Sequence, residues 1–247
     1  MPLLNILGLG FILGMRHATD ADHVVAVSAI VSKHKTFIPS ALVGILWGLG
    51  HSVTVTLVAI PIVLFSFAIP PRLGLGLEFL VGLMLVLLGM MNVFGNKEVR
   101  LRSYLPIFHK HEHDRKNGSA HAHFHLHFKD KTDHSDHRIS LRPVLIGLVH
   151  GLAGSAAIAI LVISTIQEEG IAVLYLFIFN IGVIIGMMFL TSLLGFAFMK
   201  VKKINTGFHM MLVVVSGALS LFFGILVLYE TGVVGGLFGS SIHWNPR

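Results

Sequence analysis

The chain has no cysteine among its 247 residues. That excludes disulfides, thiolate metal sites and thiol redox relays. Charge is scarce as well: Asp, Glu, Lys and Arg make up 12% of the chain, against about 25% in a soluble domain. The shortage comes from long uncharged apolar runs, and runs of about 18 residues or more read as membrane spans. The weak ten-residue alternation of a transmembrane barrel is missing. Helices follow, because in lipid a segment must satisfy its own backbone. No charged stretch precedes the first run, so that run is expected to be a retained span rather than a cleaved leader. There is no nucleotide-binding P-loop and no H-E-x-x-H. The formal net charge of +6 could point to nucleic acid. Most of the basic residues lie in loops beside spans, however, and membrane orientation explains them more simply.

Six apolar segments are present, at about 3–32, 39–68, 75–95, 142–165, 171–199 and 208–229. A helix of about 20 residues crosses the hydrocarbon core, so the first, second and fifth must tilt, break or project. Lys33 and Lys35 follow span one; Lys97, Arg100, Arg102, Arg138 and Arg142 mark the linker after span three; Lys200, Lys202 and Lys203 follow span five. The other two loops carry only Arg72 among cations, with Glu168 and Glu169. The excess of Lys and Arg places the basic loops in the cytoplasm and both termini outside. The chain divides into a first three-helix group (1–96), a cytoplasmic His-rich flexible loop (97–141), and a second three-helix group with a short C-terminal tail (142–247).

The two groups resemble each other. G-M-R-H at 14–17 matches G-L-V-H at 147–150, Gly50 matches Gly182, and Gly82 and Gly89 match Gly217 and Gly224. The offsets are 133, 132, 135 and 135 residues. A unit of three spans, repeated, must enter the membrane from opposite sides. The expected architecture is therefore an all-α membrane protein of about six transmembrane helices in two inverted three-helix repeats, a transporter arrangement with its site near the midplane.

The stretch R-H-A-T-D-A-D-H-V at 16–24 interrupts the first apolar segment. Facing lipid, Arg16, Asp20 and Asp22 would together cost roughly 8–10 kcal/mol. They must face a cavity, one another or an ion. A buried clamp of Arg16 with Asp20 or Asp22 would account for some of them, but not for a second carboxylate and two histidines. On a straight helix His17, Asp20 and His23 share one arc, while Asp22 lies about 100° from His23. The spacing therefore predicts a break or unwinding near Gly14–Asp22. Imidazole with carboxylate suits first-row divalent metals, and a proton relay would use the same residues.

The stretch is similar to the signature of the nickel/cobalt transporter (NiCoT) family, R-H-A-x-D-A-D-H-[IV], built on H-x4-D-H. Here that core is His17, Asp22 and His23. L-W-G-L-G-H-S-V-T-V at 46–55 resembles a second family motif and brings in His51. The acidic second-half motifs of the longer members are absent: the matching stretches read G-L-V-H-G-L-A-G-S-A-A at 147–157 and G-M-M-F-L-T-S-L-L-G at 186–195. With six spans rather than eight, the chain resembles the shorter, UreH-like nickel permease branch. The resemblance implies Ni2+ uptake, with Co2+ as the other candidate. The ion is substrate rather than prosthetic group, and no cofactor is implied. The implied metal set is His17, Asp22, His23 and His51. His150, the repeat mate of His17, joins it as the second-half candidate, together with Asp20. Arg16 and Asp20 would orient ligands or hold the break. A cytoplasmic metallochaperone or urease-type enzyme would receive the metal, and the cell membrane would hold the transporter. Ser155, Asn180 and Thr191 read as interhelical polar contacts, and Met90, Met91, Met187 and Met188 as packing.

Nine of the sixteen histidines fall within 97–141, with H-A-H-F-H-L-H at 121–127 as their centre. Such tracts bind divalent metals with little geometric demand. His121, His123, His125 and His127 are expected to form an accessory metal-binding loop. Two other readings weigh less. Efflux would use the same site, and a metal-dependent membrane enzyme would lack any recognised catalytic motif.

Overall fold

The computed structural model describes residues 3–32, 37–65, 69–95, 108–113, 121–126, 141–152, 166 and 168–244. Two bodies are distinguished: residues 1–93 with 140–247, and residues 94–139. The first is helical. Its elements are α1 (Leu3–His17), α2 (Ala21–Val31), α3 (Phe37–Phe65), α4 (Pro71–Val93), α5 (Arg142–Leu152), α6 (Glu169–Ile204) and α7 (Thr206–Tyr229). A π-helical turn, Glu230–Val234, follows α7.

Among the described residues, four stretches are long and apolar enough to cross a membrane: Ile38–Phe65, Pro71–Val93, Glu169–Ile204 and Thr206–Val234. They correspond to expected segments two, three, five and six. At 1.5 Å per residue, the 36 residues of α6 reach about 54 Å, well beyond a core of about 30 Å. Its last turn carries Lys202 and Lys203, which suit the negative end of the helix dipole. The outward surface is strongly apolar. Leu57, Phe177, Phe189 and Phe222 are each at least 60% exposed, as a lipid-facing surface requires and a water-facing one avoids.

Segment one is two helices. α1 ends at His17 and α2 begins at Ala21, inside the interval where the sequence placed a break. Thr19 N–H and Asp20 N–H close onto the carbonyls of Arg16 and His17, at 2.8 and 3.0 Å. The Thr19 hydroxyl also donates to the Arg16 carbonyl at 2.6 Å. These short-range bonds satisfy the orphan carbonyls of α1. Asp20 then takes the N-cap position of α2 with extended backbone. Segment four is described only as α5; Ser155 and the rest of 153–165 lie outside the described residues, as do Lys33 and Lys35.

Small residues set the helix packing. α1 and α3 lie against α6, and α4 lies along α7. A Cβ on Gly14 would collide with the Phe179 carbonyl, and one on Gly182 with the Phe11 carbonyl. Between α3 and α5 the same happens: Gly147 abuts the Trp47 carbonyl, and Gly50 the Val144 carbonyl. Between α4 and α7, Gly89 abuts Gly217 and Leu221, while Gly224 abuts Gly82 and Val86. Shifting every residue of one contact by 132–135 positions yields its partner contact. Interhelical hydrogen bonds join the same pairs. Thr54 donates to the Leu148 carbonyl at 2.9 Å, and Ser220 to the Leu85 carbonyl at 2.8 Å.

The second body contains a two-stranded antiparallel hairpin, β1 (Phe108–His113) with β2 (His121–Leu126). This stretch lies within the segment read from sequence as a flexible loop. Its backbone register pairs His109 with His125, His111 with His123, and His113 with His121. His127, His134 and His137 lie outside the described residues.

Because the helices approach to backbone contact, added bulk should cost stability. Gly182→Val is expected to destabilise by about 1–3 kcal/mol, read as a lower Tm in detergent. Gly8→Val, where nothing lies within 4 Å of the new Cβ, should leave Tm unchanged.

Candidate metal site

The break between α1 and α2 positions the polar residues of 16–24. His17 is the last residue of α1, where an imidazole meets the negative helix end. Asp22 and His23 lie in the first turn of α2, where a carboxylate meets the positive end. Losing three residues of regular helix removes the 100° conflict, so His17 and His23 come together with ring centroids 4.8 Å apart. His51 enters from the middle of α3, 5.2 Å from His17 and 5.1 Å from His23. His150 enters from α5, 4.2 Å from His23. Gly50, Gly147 and Gly151 allow this by letting α3 and α5 touch backbone to backbone beside both histidines.

The carboxylates decide which imidazole nitrogens are protonated. A carboxylate only accepts, so the nitrogens facing one must donate. His17 Nδ1–H donates to Asp20 Oδ2 at 2.8 Å. His23 Nδ1–H donates to Asp22 Oδ1 at 2.9 Å, and His150 Nε2–H donates to Asp22 Oδ2 at 3.1 Å. The His23 backbone N–H also donates to Asp22 Oδ1, at 2.8 Å. Neutral His17 and His23 therefore keep the Nε2 lone pair available. His17 Nε2 faces His51 Nε2 at 3.2 Å. His23 Nε2 is buried without a hydrogen-bond partner among the described residues. In a native interior such an atom requires a reason.

Two groups bring their ligand atoms within 4.8 Å of one another: His17 with His23 and His51, and Asp22 with His23 and His150. They share His23. Metal–nitrogen bonds of about 2.0–2.1 Å hold two ligating nitrogens about 2.9–3.3 Å apart, and the His17–His51 separation falls in that interval. A carboxylate on the far nitrogen of a ligating histidine is the usual outer support of a metal site. The set of imidazole and carboxylate donors fits nickel, cobalt, copper or zinc. His23, His51 and His150 are each at most 2% exposed. A cavity of about 320 Å3 reaches His17, Asp20, Asp22 and His23.

The described candidates of the helical body can now be placed. His17, Asp20, Asp22, His23, His51 and His150 converge on one spot. Arg16 is exposed, and Asp20 and Asp22 face histidines. Asn180 bonds across to Thr56 at 2.9 Å, Thr191 bonds to carbonyls of its own helix, and Met187 is fully buried in the core. Three neighbours escaped the sequence reading. Trp47 stacks on His23 at 6.1 Å and Phe179 packs beside His17 at 5.7 Å; nothing in an apolar helix distinguishes such rings. Glu78 is buried in α4 and lines the same cavity. It carried a signal, being the one acidic residue between positions 37 and 95.

A family model described as high-affinity nickel-transport protein (NicO) matches residues 3–234. The chain belongs to that family. It is thus a nickel-transport protein of the membrane and not an enzyme. The transporter is also 36% identical over 243 residues to a protein of Bacillus sp. (strain TB-90) named urease accessory protein UreH, covering 96% of each chain. No solved structure matches it.

The Asp20 carboxylate holds the His17 ring by a single 2.8 Å bond and is itself half exposed. Asp20→Asn should therefore lower nickel affinity of the purified transporter by about 10–100-fold, read by equilibrium dialysis, without a change in Tm.

Proposed function

We propose that this transporter imports Ni2+ into the cytoplasm, with Co2+ competing, through the histidine cluster at the α1–α2 break. The observation that carries the reading is the convergence of His17, His23 and His51, whose ligand atoms lie within 4.8 Å of one another, with His17 Nε2 facing His51 Nε2 and His23 Nε2 without a hydrogen-bond partner among the described residues. Carboxylates hold the opposite nitrogens of His17 and His23. The three Nε2 atoms replace part of the ion's hydration. Asp20 and Asp22 fix the tautomers and supply negative charge nearby.

The ion reaches His17 and His23 from the cavity and then moves deeper. His23 belongs to both ligand groups and links His17 and His51 on one side to Asp22 and His150 on the other. The matched glycine contacts support two inverted three-helix repeats with α1–α3 and α4 answering α5, α6 and α7. The second copy crosses from the opposite side. Rocking of one repeat against the other opens the site to each face in turn. The basic loops support a cytoplasmic 97–141 segment and termini on the outer side of the cell membrane. A divalent ion moving inward across 100 mV gains roughly 4.6 kcal/mol, sufficient for uptake without a nucleotide.

The three opposed histidine pairs of the hairpin support an accessory cytoplasmic metal-binding segment. The Bacillus relative is named a urease accessory protein, which supports a urease-type recipient or its metallochaperone as the partner downstream.

63Ni2+ uptake into cells or proteoliposomes, with Co2+ and Zn2+ as competitors, tests the reading. His17→Ala, Asp22→Ala and His23→Ala should each reduce uptake at least about tenfold, the effect of one lost contact of about 1.4 kcal/mol. Deleting 109–137 should keep transport but lower the nickel bound at equilibrium. Unchanged uptake in all three variants would sink the site; net loss of preloaded nickel would turn the reading to efflux. Imidazole must be neutral to ligate, so uptake measured at fixed membrane potential should fall as pH drops below about 6.

A further inference from the structure

Glu78 raises a question that the histidine site does not answer. It sits two turns into α4, 8% exposed, in an otherwise apolar stretch. A carboxylate there is costly unless a partner or a function retains it. It lines the cavity that reaches His17, Asp20, Asp22 and His23, and the remainder of that wall is apolar, including Val81 and Phe223. The acidic groups of this cavity thus come from α4 and from the start of α2 with its N-cap, and His23, whose Nε2 has no hydrogen-bond partner among the described residues, lines the same cavity.

Glu78 also faces the C-terminal segment. The Trp244 indole N–H donates to Glu78 Oε1 at 2.9 Å. Glu78 thus both lines the cavity and accepts from the indole, which is not among the residues lining it. The contact is built into the fold. After α7 and its π-helical turn, the chain reverses at Gly236, whose φ of +75° suits glycine. The His243 N–H then bonds back to the Gly235 carbonyl at 3.0 Å, and Phe238 packs edge-on against Phe79, 5.4 Å between centroids. The indole lies where a Cβ on Gly74 would be, one helical turn before Glu78.

We propose that Glu78 is a second divalent-cation station, upstream of the histidine site in the same cavity, and that the Trp244 indole is its latch. A hydrated cation in the cavity meets Glu78 across from Asp20 and Asp22. Its charge draws the carboxylate away from the indole, because attraction between two full charges in a partly desolvated cavity exceeds a hydrogen bond from an uncharged donor. The cation then loses water stepwise on its way to His17 and His23. This inference rests on the nickel-transport reading of the site.

The test is 63Ni2+ influx into proteoliposomes containing the full-length protein, with KM and maximal rate measured separately. Glu78→Gln keeps an acceptor for the indole and removes only the charge. It should raise KM about tenfold while the maximal rate stays within about twofold, the pattern of lost uniform binding; Glu78→Asp should restore part of the loss. Trp244→Phe keeps the ring and removes the N–H, and should lower KM. Gly74→Val, which pushes the indole off α4, should act in the same direction. Nickel added to the wild type should quench a component of tryptophan fluorescence that Trp244→Phe lacks and Glu78→Gln fails to show. An unchanged KM in Glu78→Gln, with unaltered Tm, overturns the station. An unchanged KM in both Trp244→Phe and Gly74→Val overturns the latch. Should the wild type carry no nickel, the transport reading itself fails instead.

Discussion

The arrangement depends on how Asp22 is satisfied inside an apolar helical body. A carboxylate in lipid costs several kcal/mol unless it is paired. Asp22 lies beside a helix start and accepts from His23 on one oxygen and from His150 on the other. That double bond pattern ties the first part of the chain to the second across 128 residues. It also sets the protonation of two rings at once. The order of the site follows from this one group: the neutral tautomer of His23, the direction of its free nitrogen, and the position of His150.

Such an arrangement requires the backbone to cooperate. A straight helix would aim Asp22 away from His17, so the chain interrupts α1 for three residues and satisfies the freed carbonyls locally. α3 and α5 must then come close enough for two side chains to meet over the same atoms. In a membrane no hydrophobic force presses helices together, and small residues that permit close van der Waals contact do the work instead. Gly50, Gly147 and Gly151 lie within one turn of His51 or His150. The residues that pack the helices and the clustered histidines are thus neighbours on the same surfaces, and packing and the geometry of the cluster are inseparable here.

Much of this was legible in the chain itself. The apolar runs, the concentration of polar groups at 16–24, the need for a break there and the matched glycines could all be read from residue order. Each reflects a rule that acts locally: the length of a membrane span, the 100° step of a helix, the cost of a lone charge. His150 could be picked out only because it repeats the position of His17. Glu78 was visible as a lone acid, but its surroundings were not, because the polar groups that share its cavity come from the α1–α2 break and its indole partner, Trp244, lies 166 residues further on.

The sequence by itself determined that the chain crosses a membrane with helices, and that residues 16–24 hold chemistry incompatible with lipid. Those properties depend on composition and short spacing, which tertiary contacts do not alter. Only the tertiary structure decided which nitrogens of His17, His23 and His150 face a carboxylate and which do not. It also decided that Asp20 serves His17 while Asp22 serves His23 and His150, and that the C-terminal segment returns to Glu78. Those outcomes turn on ångström-scale distances between helices, and such distances arise from packing that no local pattern encodes.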